Sequence, residues 1–195
     1  EEIKETCDDF RNKKQITIGF LGNTRYFEEN CKLIDALANN PKYKLVYIGR
    51  PNVDCDLEGY CKSKNITNVV FKSEFKNEDK PKLYEKIDLI NAVYGNSSLE
   101  VTTLLPNRLY EGLLLKKPVL ATVGTFLGDI VKANKIGICL NLDDVNIVLK
   151  IEKYISTLDF YEFNLNCEKM LNEIKKEQKY FCDKIREFLM KNKGV

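Results

Sequence analysis

Short unbroken apolar runs alternate with helix-spaced segments along most of this chain, and that alternation restricts the fold more than any other feature. Ile16 to Gly22 (ITIGFLG), Lys44 to Gly49 (KLVYIG), Asn68 to Phe71 (NVVF), Asp88 to Tyr94 (DLINAVY), Lys117 to Gly124 (KPVLATVG) and Ile136 to Asn141 (IGICLN) read as strands. Between the first two, Phe27, Cys31, Ile34 and Ala38 recur at helical spacing within Tyr26 to Ala38. Helices are also predicted over Asp54 to Lys64, KPKLYEKI with Pro81 in its first turn, Asn107 to Lys116, FLGDIVKAN and Asp143 to Ser156. Strands without polar alternation need cover on both faces, and strand–helix–strand order makes them parallel. The expected fold class is therefore α/β: a doubly wound, Rossmann-like parallel sheet of about six strands with helices on both faces. Residues 15–157 make up this domain. Residues 1–14, charged and aperiodic, read as a linker, and 158–195 as a C-terminal extension built on a long helix from Tyr161 to Lys191.

Composition removes several kinds of chemistry. A formal net charge of +2 gives no electrostatic case for nucleic acid as the main partner. The chain contains no histidine, which excludes histidine general acid–base work, histidine-dependent triads and histidine metal sites within it. The seven cysteines (Cys7, Cys31, Cys55, Cys61, Cys139, Cys167 and Cys182) are odd in number and form no C-x-x-C pair, so reduced and mostly buried thiols are expected. No clustered ligands suggest a metal. Without a signal-peptide pattern or a membrane-length apolar run, a cytoplasmic location, or the inner face of a membrane, is expected.

In doubly wound sheets, ligands bind beyond the carboxyl ends of the strands. That directs attention to the loops after Gly22, Gly49, Phe71, Tyr94 and Val123. It also draws attention to LPNRLYEGLLLKKPVLA, from Leu105 to Ala121. At about 100° per residue, Leu109 and Leu113 share a face with Tyr110 and Leu114 beside them, while Arg108, Glu111 and Leu115 share another arc. Pro106 fixes the entry, and Asn107 is the expected N-cap. Arg108 and Glu111 are three residues apart, so spacing alone allows a surface ion pair as readily as a ligand site near the helix start.

This segment is similar to the PNK-L-[FY]-E-Y-x-A-x-G-x-P-V-[IL]-A signature of glycosyltransferase family 4 and its relatives of GT-B fold. IGFLGNTRYFEENCKLIDAL resembles the first strand and helix of the family's carboxyl-terminal domain. KLVYIG resembles its second strand, and KLYEKIDLINAVYGN the stretch before its donor site. GTFLGDIVKANKIGICL is similar to GG-x-x-E-I-V-x-x-x-x-x-G-x-x-V. The likeness covers Ile16 to Ser156 in order. It implies the donor-binding half of a retaining glycosyltransferase that moves a sugar from a nucleotide-sugar to a glycan or lipid-linked acceptor. A missing amino-terminal, acceptor-binding domain follows from it, and so does little activity from this chain alone.

The resemblance also assigns roles. Glu111 matches the glutamate that accepts hydrogen bonds from the nucleotide ribose. Arg108 stands where lysine is common, and Arg25 lies near the phosphate-binding arginine. These two are the expected electrostatic catalysts for the departing diphosphate, with no metal required. Gly22 and Asn23 belong to the first loop, Asn107 to the signature itself, and Phe71 to Phe75 to the loop that cradles the base. Gly124 and Thr125 offer backbone N–H groups to phosphate or sugar. The chain departs from the family at Thr103, where the first acid of an E-x7-E pair is expected and Glu100 is out of register. Two further departures are Glu28, in place of a lysine, and Lys116-Lys117, in place of a small residue and glycine. Ser97-Ser98 is either a ligand contact or a plain polar loop. The terminal helix is expected to pack across the domain junction, with docking to a membrane through its lysine-rich face as the other option. A nucleotide-sugar 2-epimerase would call on histidine. A non-catalytic module for a nucleotide or a protein partner stands as the alternative.

Overall fold

The computed structural model describes residues 9–50 and 52–191. Six strands form one fully parallel sheet: β1 (Ile16–Leu21), β2 (Tyr43–Ile48), β3 (Val69–Lys72), β4 (Leu89–Ala92), β5 (Val119–Thr122) and β6 (Gly137–Leu140). Their order is β3-β2-β1-β4-β5-β6, so the direction of winding reverses between β1 and β4. The strands β1, β2, β4 and β5 are buried almost throughout, which is why their sequences carry no polar alternation.

Helices α1 (Phe27–Leu37), α2 (Leu57–Ser63), α3 (Lys80–Tyr84), α4 (Leu99–Thr103), α5 (Asn107–Leu115), α6 (Phe126–Ala133), α7 (Ile147–Thr157) and α8 (Phe160–Lys191) fill the connections and the end of the chain. Helix α1 packs against α2 and α7, α5 against α8, and α4 against α6. Right-handed crossovers put α1 and α5 on opposite faces, because the chain leaves β1 and β4 in opposite directions. Helix α4 is not predicted by periodicity. It is one turn, capped by Ser98, whose hydroxyl accepts from the Val101 N–H at 3.4 Å. Ser98 therefore has a local structural task.

Of the segment read as a linker, residues 1–8, including Cys7, lie outside the described residues. Phe10 is buried and meets Phe160 edge-on at 5.5 Å, and Lys13 pairs with the buried Asp88 at 2.6 Å. Among the described cysteines, Cys31, Cys55, Cys61 and Cys167 are buried, Cys139 is half-buried, Cys182 is exposed, and all six are free. At the end of α5, Lys116 adopts the left-handed conformation that C-caps usually give to glycine (φ 52°, ψ 50°). Its buried side chain runs to α8, donating to the Asn164 carbonyl at 3.3 Å and lying 3.5 Å from Glu168. Along α8, Phe163, Cys167 and Leu171 are buried, whereas Phe181, Ile185, Phe188 and Leu189 on the same stripe are exposed.

Candidate functional site

The carboxyl ends of β1, β2 and β3 open into a cleft of about 520 Å³ lined by Gly22, Thr24, Gly49, Asn52, Phe71 and Ser73, among others. Glycine at 49 is a steric requirement. Its φ is +151°, and a Cβ there would sit 2.1 Å from the carbonyl oxygen of Gly22. The cleft's aromatic wall is ordered by stacking of Phe71 on Tyr47, with centroids 5.5 Å apart. A second cleft of about 460 Å³ runs beside β6 at the opposite edge and includes the Lys135–Glu162 pair, 2.6 Å apart.

Arg108 occupies the reversal point itself. After the single turn of α4, helix α5 carries the chain from the carboxyl end of β4 back toward β5, so its first turn stands at the rim. From there the arginine side chain folds inward, buried over the Phe20 ring at 3.6 Å from the centroid. Its Nη2 donates to the Leu21 carbonyl at 2.6 Å and its Nη1 to the Tyr94 hydroxyl. The two strand exits are thereby tied together. Burial pushes the Tyr94 phenol up, and the neighbouring guanidinium partly offsets this.

Glu111 lies one turn further along α5 and faces α3. Its Oε1 accepts from Lys80 Nζ at 2.6 Å and its Oε2 from the Tyr84 hydroxyl at 2.5 Å. Burial, with the adjacent carboxylate, pushes the Tyr84 phenol far above its usual range, so it remains a donor. Arg108 and Glu111 do not pair with each other. Each finds a partner brought near by the fold rather than by helical spacing.

The first loop is held from beneath by a buried network. Asn30 Nδ2 donates to the carbonyls of Arg25 at 2.9 Å and Tyr26 at 3.0 Å, while its Oδ1 accepts from Tyr47 at 3.0 Å. Asn91 joins from β4, with Oδ1 accepting from the Val93 N–H at 3.0 Å. Tyr26 has φ 60° and packs edge-on against Tyr94 at 5.4 Å. Asn23 and Arg25 are exposed in this loop.

No family model and no curated protein matches the sequence. Solved structures do match. The C-terminal domain of the group 1 glycosyl transferase LpcC from Francisella tularensis superposes with a TM-score of 0.57 at 20% identity, over 87% of this chain and 94% of that one. The lipopolysaccharide outer core galactosyltransferase WaaB gives 0.64 at 14% identity, over 87% and 49%. Anabaena HepE, solved with UDP and glucose, gives 0.66 at 16% identity, over 89% and 49%.

The fold is that of the C-terminal domain of GT-B glycosyltransferases. The chain spans about half the length of WaaB and HepE, 49% of each. Of the residues singled out in its sequence, Gly22 and Phe71 line the rim cleft, and Arg108 Nη2 would be 2.9 Å from a Cβ on Gly22. Phe75 packs partly buried against the core. Gly124 (φ 73°) follows Val123, whose carbonyl accepts from Asn96 Nδ2 at 3.2 Å, so the exits of β4 and β5 are joined. The Thr125 hydroxyl donates to the Thr122 carbonyl at 2.7 Å and accepts from the Gly128 N–H at 2.9 Å. Its side chain is the N-cap of α6.

Two expectations about the helix start are corrected. Asn107 is not the N-cap. Pro106, in extended conformation, holds that position, and Asn107 is the exposed first residue of α5 with no side-chain cap bond. The surface ion pair that spacing allowed between Arg108 and Glu111 does not form either, because the Arg108 guanidinium is drawn inward by a carbonyl, a hydroxyl and an aromatic face. Sequence reading missed Lys80, Tyr84, Asn30 and Asn91. The last two left a signal: an amide inside the apolar run DLINAVY, and another next to Cys31 on an otherwise apolar helix face.

Proposed function

We propose that this domain binds the nucleotide-sugar donor of a retaining glycosyltransferase, which moves a hexose to a glycan or lipid-linked acceptor. The observation that carries this reading is the Glu111 carboxylate, held at the rim by Lys80 and Tyr84 beside the Arg108-tied exit of β1. The likeness to HepE with UDP and glucose supports it. In this reading, spare lone pairs on Glu111 accept the ribose hydroxyls. Gly22 lets the first loop approach the diphosphate. Arg25, exposed on that loop, supplies the cation for the leaving group. Arg108 contributes charge from within the rim, since its two amino groups already have acceptors. No step in this reading calls for a metal.

A second half would supply acceptor binding and closure. The exposed continuation of the α8 stripe, from Phe181 to Leu189, offers it an apolar surface. Among the described residues no helix is long and apolar enough to cross a membrane. The test is calorimetric titration of the chain with UDP, GDP and their sugars. Binding that disappears in Glu111→Ala, in a protein that remains folded by circular dichroism, is the expected result. A wild-type chain that binds none of them is a module for a protein partner instead.

A further inference from the structure

We infer that Lys80 and Tyr84 are positioning residues that fix the Glu111 carboxylate so that the site selects ribonucleotides over deoxyribonucleotides. The inference rests on the donor-binding reading above and names what makes it selective.

Lys80 and Tyr84 are the two ends of α3, four residues apart and so on one helical face. Each donates to a different oxygen of Glu111, at 2.6 Å and 2.5 Å. A carboxylate offers about four lone-pair sites, so about one per oxygen is left for a ligand. A ribose presents two neighbouring hydroxyls, and two adjacent acceptors match them. That match needs a carboxylate that does not rotate. Tyr84 supplies the rigid stop, because its ring is fully buried and anchored in the core. Lys80 supplies the counter-charge, so that the carboxylate can stand near a diphosphate without a net anionic field. The Lys80 and Glu111 side chains are 22% and 12% exposed, which leaves the pair reachable but largely shielded from water. Both helices run back from the carboxyl edge of the sheet, α3 between β3 and β4 and α5 between β4 and β5, and Lys80 opens the first as Arg108 and Glu111 lie in the first half of the second. A carboxylate preset in this way saves the ligand the cost of ordering it.

The experiment compares UDP with 2′-deoxy-UDP, and GDP with 2′-deoxy-GDP, on wild type, Lys80→Met, Lys80→Arg, Tyr84→Phe and Glu111→Gln, each checked for its urea midpoint. Wild type is expected to prefer the ribose form by about tenfold or more, the range of a hydrogen bond to a charged acceptor. In Lys80→Met and Tyr84→Phe that ratio should fall toward about twofold with the deoxy affinity little changed, and Lys80→Arg should restore it. A purely structural role would weaken both ligands together and leave the ratio alone. A ratio that survives in both variants but collapses in Glu111→Gln overturns the inference and spares the donor-binding reading. A wild type that binds no nucleoside diphosphate overturns both.

Discussion

Arg108 Nη2 donates to the carbonyl oxygen of Leu21 at 2.6 Å, across the point where the winding of the sheet reverses. The same guanidinium reaches the Tyr94 hydroxyl and covers Phe20, so it fastens the exits of β1 and β4 into one rim. Removing it strands a buried carbonyl and a buried hydroxyl. Arg108→Met is expected to cost about 3 kcal/mol in urea unfolding, and Arg108→Lys less, since an ammonium keeps the charge but lacks the fork. A midpoint unchanged in Arg108→Met would refute the fastening role.

Asn30 holds the first loop through the carbonyls of Arg25 and Tyr26. Tyr26 sits at φ 60°, a costly conformation for a bulky residue, and persists because its surroundings define it. Asn30→Ala should destabilise the chain by about 2 kcal/mol and accelerate amide exchange across residues 22–26. Asn30→Asp should be worse, since it sets a buried carboxylate against two carbonyls. Hydrogen exchange that stays local and unaltered in Asn30→Ala would count against the network.

Thr125 caps α6 with its side-chain oxygen. Thr125→Ala is predicted to lower stability by about 1 kcal/mol, and Thr125→Ser to leave it close to wild type. If thermal melts instead showed the alanine variant unchanged while nucleotide affinity fell, the hydroxyl would belong to the ligand rather than to the helix.

Stability should fall on the alkaline side. Burial pushes the Cys31 and Cys61 thiols from 9.0 to about 11, and the Tyr43 phenol from 10.0 to about 12. Above the unfolded values the unfolded chain has released these protons and the folded chain still holds them, so unfolding releases protons and stability declines as pH rises. The loss begins near 9 for the thiols and near 10 for Tyr43, and each contribution is exhausted at its folded value. Tyr43→Phe should flatten the decline by at most about 1.4 kcal/mol per pH unit above pH 10. Near neutrality it should cost little, because the Tyr43 hydroxyl is buried without a partner. Urea midpoints of both proteins between pH 8 and 11 decide this.

The sequence by itself determined the layered fold. Six unbroken apolar runs call for cover on both faces, the helix-spaced segments between them make the crossovers that run strands parallel, and the observed sheet has six parallel strands. Leu109 and Leu113, placed on the inner face of α5 by spacing, are buried there. Gly22 and Phe71 were legible as rim residues because strand ends mark the rim. The partners of Arg108 and Glu111 were not. Spacing offers a charged residue only its neighbours three or four positions away. Leu21 lies 87 residues from Arg108, and Lys80 lies 31 from Glu111. Tertiary structure decided these pairings, because a charge carried into a low-dielectric interior takes whichever donor or acceptor the packed elements place against it, at any separation along the chain.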